Sequence, residues 1–121
     1  MRLERRRAAV TGLGLVTPVG LDVESTWTAL LDGRSGTAPI SLFDASGFPV
    51  RIAAEVKGFD PARASGGRKL RRALGRSHGF ALAAAEEALQ DAGIRPTPGT
   101  AVRWGCVVGT GVIGQTFGEL A

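Results

Sequence analysis

Between Gly75 and Gly93 small side chains recur at the spacing of a helix, and this stretch restricts the fold more than any other. Phe80 with Ala81, Ala84 with Ala85, Ala88 with Leu89, and Ala92 fall on one face, in line with Leu70 and Leu74 before them. Residues three and four apart share a helical face, so the spacing predicts a helix over 68–92. Glu86, Glu87 and Asp91 lie off the stripe. Gly93 suits a left-handed cap, and Pro96 stops continuation. Gly75 and Gly79 each cost about 1 kcal/mol inside a helix. Their presence beside the alanines predicts that another element packs closely here. A helix that begins only near Gly75 is the alternative.

The elements around this helix alternate. Residues 7–14, RAAVTGLG, are a short apolar run closed by glycines and read as a buried strand. Thr17-Pro18-Val19-Gly20 follows as a turn. Asp22 is a helix N-cap, Val23, Trp27, Leu30 and Leu31 share one face, and Gly33 ends the helix. Residues 33–50 read as a long irregular loop, of a length that often serves binding or an interface. Residues 51–56, RIAAEV, are a second strand candidate, and Gly58 to Gly67 a second loop. Residues 103–109, RWGCVVG, read as a third, buried strand, with a glycine-rich turn and the start of a helix over 114–120. Strand and helix in alternation predict the α/β class. A parallel sheet needs cover on both faces. Three strands ending inside a last helix therefore read as part of a larger domain.

The chain has 121 residues, enough for one small domain. Its net charge is +4, and the excess sits in Arg2, Arg5, Arg6 and Arg7, then in Arg68, Lys69, Arg71, Arg72 and Arg76. Such a face favours an acidic partner, and charge alone does not separate nucleic acid, a phospholipid surface and an acidic protein from plain solvation. Cys106 is the single cysteine, so no disulfide forms within the chain, which fits a reducing cytoplasm. No apolar run approaches the roughly 18 residues of a membrane span. One cysteine and one histidine, His78, make a metal site an unpromising expectation.

Gly109-Thr110-Gly111-Val112-Ile113-Gly114 matches G-x-G-x-x-G after a strand and before a helix. Alone it suggests a dinucleotide site, where glycines admit a pyrophosphate to a helix N-terminus. That fingerprint normally opens its domain, and here it comes third. A tight turn between strand and helix is the better reading.

Four segments resemble one family in order and in register. RRRAAVTGLGLVTPVG at 5–20 resembles the opening strand and turn of β-ketoacyl-acyl-carrier-protein synthases of the synthase II type. LDVESTWTALLDGRSGTAPISLFDASGFPVRIAAEVKGFDP at 21–61 resembles the helix, loop and strand that follow there. FALAAAEEALQDAGI at 80–94 resembles their second long helix, and WGCVVGTGVIG at 104–114 their third strand and glycine turn.

The resemblance implies a partial thiolase-like fold: the first three strands and helices of the N-terminal half, in α-β-α layers, over residues 1–121 and ending inside a helix. It implies a homodimer in the intact family, and acyl carrier protein as an acidic partner rather than nucleic acid or membrane. Covalent catalysis by a cysteine thiolate splits one hard acyl transfer into two steps, and two histidines assist condensation with malonyl-carrier protein. None of the three matches a position of this sequence, so no catalytic residue, cofactor or metal ligand is assigned. Cys106 falls in the strand before the glycine turn and is expected to be a small buried hydrophobe. His78 replaces an apolar helix position. Lys69 and Arg72 match basic residues that meet the carrier protein. Ala73 departs from that set, and Arg68 and Arg71 are placed to compensate. Val112 matches an apolar gate of the acyl-chain pocket. Leu74-Gly75-Arg76-Ser77 stands where the family often has a Met-Asp-Arg-Phe-like stretch, which unsettles local packing. The functional expectation is a catalytically inactive piece of a 3-oxoacyl-[acyl-carrier-protein] synthase. The alternatives are a non-catalytic carrier-protein-docking module and a nucleotide-binding fragment built on the GTGVIG turn.

Overall fold

A computed structural model describes residues 7–61 and 75–109. The ordered elements are α1 (Val23–Leu31), β1 (Thr37–Pro39), β2 (Ile52–Ala54) and α2 (Arg76–Ala92), followed by a 3-10 turn at Ala101–Arg103.

Local chemistry sets both ends of α1. The Asp22 carboxylate accepts the Ser25 N–H at 2.7 Å, satisfying one of the helix's unpaired first-turn donors. At the other end Gly33 has φ +65°. Its N–H reaches the Leu30 carbonyl at 3.1 Å, and the Arg34 N–H reaches the Ala29 carbonyl at 2.9 Å. This pair of bonds is a Schellman closure. The buried side of α1 is not the expected one. Thr26 and Ala29 are buried, whereas Trp27 is 61% exposed and Leu30 and Leu31 are also open. Thr26 turns toward the 17–20 turn, where its Oγ1 lies 3.1 Å from the Thr17 Oγ1. That turn is as expected, closed by the Thr17 N–H on the Gly20 carbonyl at 2.8 Å.

The 33–50 stretch is not wholly irregular. β1 within it pairs antiparallel with β2, in the register Thr37 to Ala54, Ala38 to Ala53 and Pro39 to Ile52. The Ile40 N–H continues the pairing to the Arg51 carbonyl at 2.9 Å. Proline has no N–H to give a ladder. A three-residue strand that includes one carries almost no period-two signal in sequence.

α2 starts at Arg76, with Gly75 as its N-cap, so its described part agrees with the shorter of the two expected helices. Gly93, at φ +65°, closes it. Residues 68–74 of the longer reading lie outside the described residues.

The element expected to pack closely on the alanine stripe is the amino-terminal segment. A β-carbon on Gly12 would stand 2.1 Å from the Ala88 carbonyl oxygen, and one on Gly14 would stand 1.9 Å from that of Ala84. The two chains run antiparallel, with matching repeats. Two residues of extended chain advance about 6.6 Å, and four residues of helix advance about 6 Å. Every second residue of the segment therefore meets every fourth residue of α2.

Two expected strands differ from expectation. Residues 7–14 and 104–109 form neither helix nor ladder, and Arg103 belongs to the 3-10 turn. Among the described residues no neighbouring strand pairs with either, and ladder bonds need one. Val10 is 81% exposed and Val107 99%. The buried apolar set is confined to Ala29, Ala45 and Phe59 among the described residues.

Candidate functional site

The faces of α2 organise the described chemistry. Its alanine face receives Gly12 and Gly14. Next to it, the carboxylates read as lying off the stripe hold backbone. Asp91 Oδ2 accepts the Leu13 N–H at 2.9 Å, and Glu87 Oε2 accepts the Leu15 N–H at 2.9 Å. The second oxygen of Glu87 accepts the Val23 N–H, the first of α1, at 2.8 Å. Glu87 thus joins three elements and places negative charge at the start of α1, where the helix dipole favours it. Further along α2, Glu86 pairs with Arg95 at 2.5 Å. Nothing in the spacing of these acids foretold their roles beyond their position beside the stripe.

At the start of α2 lies a second cluster. The Phe59 and Phe80 rings meet edge to face, with centroids 4.8 Å apart. The Arg76 guanidinium sits 5.1 Å from the centre of the Phe80 ring and donates to the Val56 carbonyl. From just past β2, the Glu55 carboxylate reaches the start of the hairpin loop, accepting the Ser41 hydroxyl at 2.6 Å and the Ser41 and Leu42 N–H groups at 3.1 Å. The Ser41 hydroxyl bond is the main reason the Glu55 carboxyl titrates below its ordinary range. Asp44 is lowered in the same way, chiefly by the Ser46 N–H.

Cys106 is exposed, not buried. The physical reason is the missing ladder: among the described residues no strand flanks its segment to cover it. The thiol borders a cleft whose walls include Thr11, Ala85, Ala88, Leu89, Ile94 and Trp104. A nucleophilic thiolate needs a base or cation beside it, and among the described residues those lining this cleft include no histidine, acid or lysine. His78 lies on α2 and is not among them. Lys69, Arg72, Arg68, Arg71 and Val112 all lie outside the described residues, as does the GTGVIG turn apart from Gly109.

The family profile for the beta-ketoacyl synthase N-terminal domain matches residues 5–120. The chain belongs to the beta-ketoacyl synthase family. One relative in this family, the 3-oxoacyl-[acyl-carrier-protein] synthase 2 of Coxiella burnetii, is 42% identical over 97% of this chain and 28% of its own length. The tetracenomycin polyketide synthase ketoacyl synthase beta subunit of Streptomyces glaucescens is 43% identical over 91% of this chain and 27% of its own. Among solved structures, the ishigamide ketosynthase/chain length factor matches with a TM-score of 0.67 and 41% identity, over 75% of this chain and 22% of that one. The chain therefore spans a little over a quarter of the curated relatives it matches. Fatty-acid and polyketide beta-ketoacyl synthases both stand among its relatives. The fold is a partial α/β fold of the thiolase-like class to which these synthases belong. No helix among the described residues is long and apolar enough to cross a membrane.

Proposed function

We propose that the chain is the amino-terminal portion of a 3-oxoacyl-[acyl-carrier-protein] synthase acting in the cytoplasm, and that by itself it catalyses no condensation. The observation that carries this reading is the family match over residues 5–120, together with 40% identity to a synthase over 93% of the chain. The surroundings of Cys106 support the second half. Among the described residues lining its cleft, this exposed thiol has no histidine, acid or lysine to direct an attack.

In this reading the chain contributes scaffold and docking surface. Lys69 and Arg72, with Arg68 and Arg71, face the acidic acyl carrier protein, and Val112 shapes the end of the acyl-chain pocket in the whole enzyme, a homodimer. Charge complementarity of this kind mainly speeds encounter and sets orientation.

The test is a titration of the chain with holo acyl carrier protein, with a nicotinamide or adenine dinucleotide in a parallel series. Saturable carrier binding that weakens with salt and falls several-fold on Arg72→Glu supports the reading. Dinucleotide binding without carrier binding replaces it with the nucleotide reading. Turnover of malonyl-carrier protein by the purified chain refutes the assignment of catalysis to residues elsewhere.

A further inference from the structure

Arg76 closes the second basic cluster of the sequence, and by composition alone it counts with Arg68, Lys69, Arg71 and Arg72 as a cation available to an acidic partner. Its contacts give it other work. The guanidinium lies over Phe80, 5.1 Å from the ring centre, one helical turn further along α2. It also donates to the carbonyl of Val56, just past β2. Phe80 in turn meets Phe59 edge to face at 4.8 Å. Phe59 is buried, and its ring edge lies where a β-carbon on Gly79 would come within 3.2 Å. These contacts depend on one another. The ring of Phe59 needs Gly79, Phe80 needs Phe59, and Arg76 covers Phe80 while holding the strand-end backbone.

We infer that Arg76 is a positioning residue that ties the β1–β2 hairpin to the first turn of α2, and that it is not one of the cations that meet an acidic partner. A carboxylate on another molecule would have to compete with the ring and the Val56 carbonyl for the guanidinium. A planar guanidinium can stack on a ring and donate in-plane at once, whereas an ammonium on a flexible stem does not reproduce that geometry. The role therefore belongs to the shape of the group as well as its charge. The basic surface of the functional proposal then ends before Arg76.

Amide hydrogen exchange on the full chain tests the tether directly. Arg76→Lys and Arg76→Gln should both speed exchange at Gly79 and Phe80, the first hydrogen-bonded amides of α2, and in the hairpin, by about three- to tenfold. Phe80→Leu should do the same, and the Arg76→Gln/Phe80→Leu double variant should add little to the larger single effect. Wild-type exchange in Arg76→Lys with faster exchange in Arg76→Gln would show that charge alone matters and would overturn the inference, as would no change in either. The partner arm rests on the carrier-protein reading. At low salt, Arg76→Gln should bind carrier protein within about twofold of wild type, while Arg72→Gln loses several-fold. Equal losses, restored by Arg76→Lys, would overturn the assignment. If the unsubstituted chain binds no carrier protein, the docking proposal fails by itself and the exchange measurement still decides the tether.

Discussion

A β-carbon on Gly14 would stand 1.9 Å from the carbonyl oxygen of Ala84. The amino-terminal segment and α2 are therefore in backbone contact, and the two elements interlock through the absence of side-chain atoms.

Gly14→Ala should thus be among the most damaging single-methyl additions in the chain. Neither backbone can yield without breaking the bonds of Leu13 and Leu15 to α2. We expect a loss of about 1–3 kcal/mol, the usual range for overpacking, read as a lowered denaturation midpoint. Gly47→Ala, where an added β-carbon meets nothing within 4 Å, is the matched control and should be near neutral. Equal midpoints for the two variants would contradict the interlock.

Glu87 accepts backbone donors from two different elements with its two oxygens. Removing it strands the N–H groups of Leu15 and Val23 together. Glu87→Ala should cost about 2 kcal/mol, as expected for charged hydrogen bonds. Glu87→Gln keeps one acceptor and should fall between that variant and wild type. The denaturant series should also show faster proteolysis within residues 7–16 in Glu87→Ala. A Gln variant no better than Ala would mean that the charge at the α1 terminus, and not the paired acceptance, carries the effect.

The Glu55 carboxyl, lowered by Ser41, gives the hairpin loop a defined pH response. Its folded value lies below the ordinary 4.5. The contribution to stability is therefore fully present above that ordinary value, and it is lost as pH falls through the folded value. Between neutral pH and the carboxylate range the Ser41 and Leu42 amide resonances should stay fixed. They should then move together as Glu55 protonates. Glu55→Gln should abolish that transition, and its survival in the variant would assign it to another acid.

Cys106 should react with a thiol-specific reagent in the native chain at close to the rate of a free thiol, since it is exposed. Alkylation should leave the far-ultraviolet circular dichroism unchanged. Labelling that requires denaturant would show that the 104–109 segment is covered.

Features set by short-range chemistry were legible in the sequence. Asp22, Gly33 and Gly93 act at the helix ends where their cap preferences put them, because capping depends on a few neighbouring backbone groups. β2 falls inside the expected 51–56 run, and the Gly–Ala pattern of α2 correctly announced a close neighbour. Features that depend on distant partners were not legible. β1 hides in Thr37-Ala38-Pro39, where proline removes the strand signature. The pattern of α1 put Val23, Trp27, Leu30 and Leu31 on one face, yet Trp27, Leu30 and Leu31 are open and the buried pair is Thr26 and Ala29. Periodicity tells which residues share a face, not whether anything lies against it. The 7–14 and 104–109 runs failed for the same reason, and the expected burial of Cys106 failed with them. Glu87 and Asp91 were placed beside the stripe, but nothing in their spacing revealed which backbone they would hold. The family was read from four segments in register, while its docking and pocket positions lie outside the described residues.

The open face of α1 gives this chain a built-in optical gauge. With its indole 61% exposed beside Leu30 and Leu31, Trp27 sits where any surface that covers that helix must displace water from the ring. With Trp104 replaced by phenylalanine, its emission colour would then report coverage without any added dye, and would distinguish a ligand that seats on α1 from one that touches the molecule elsewhere.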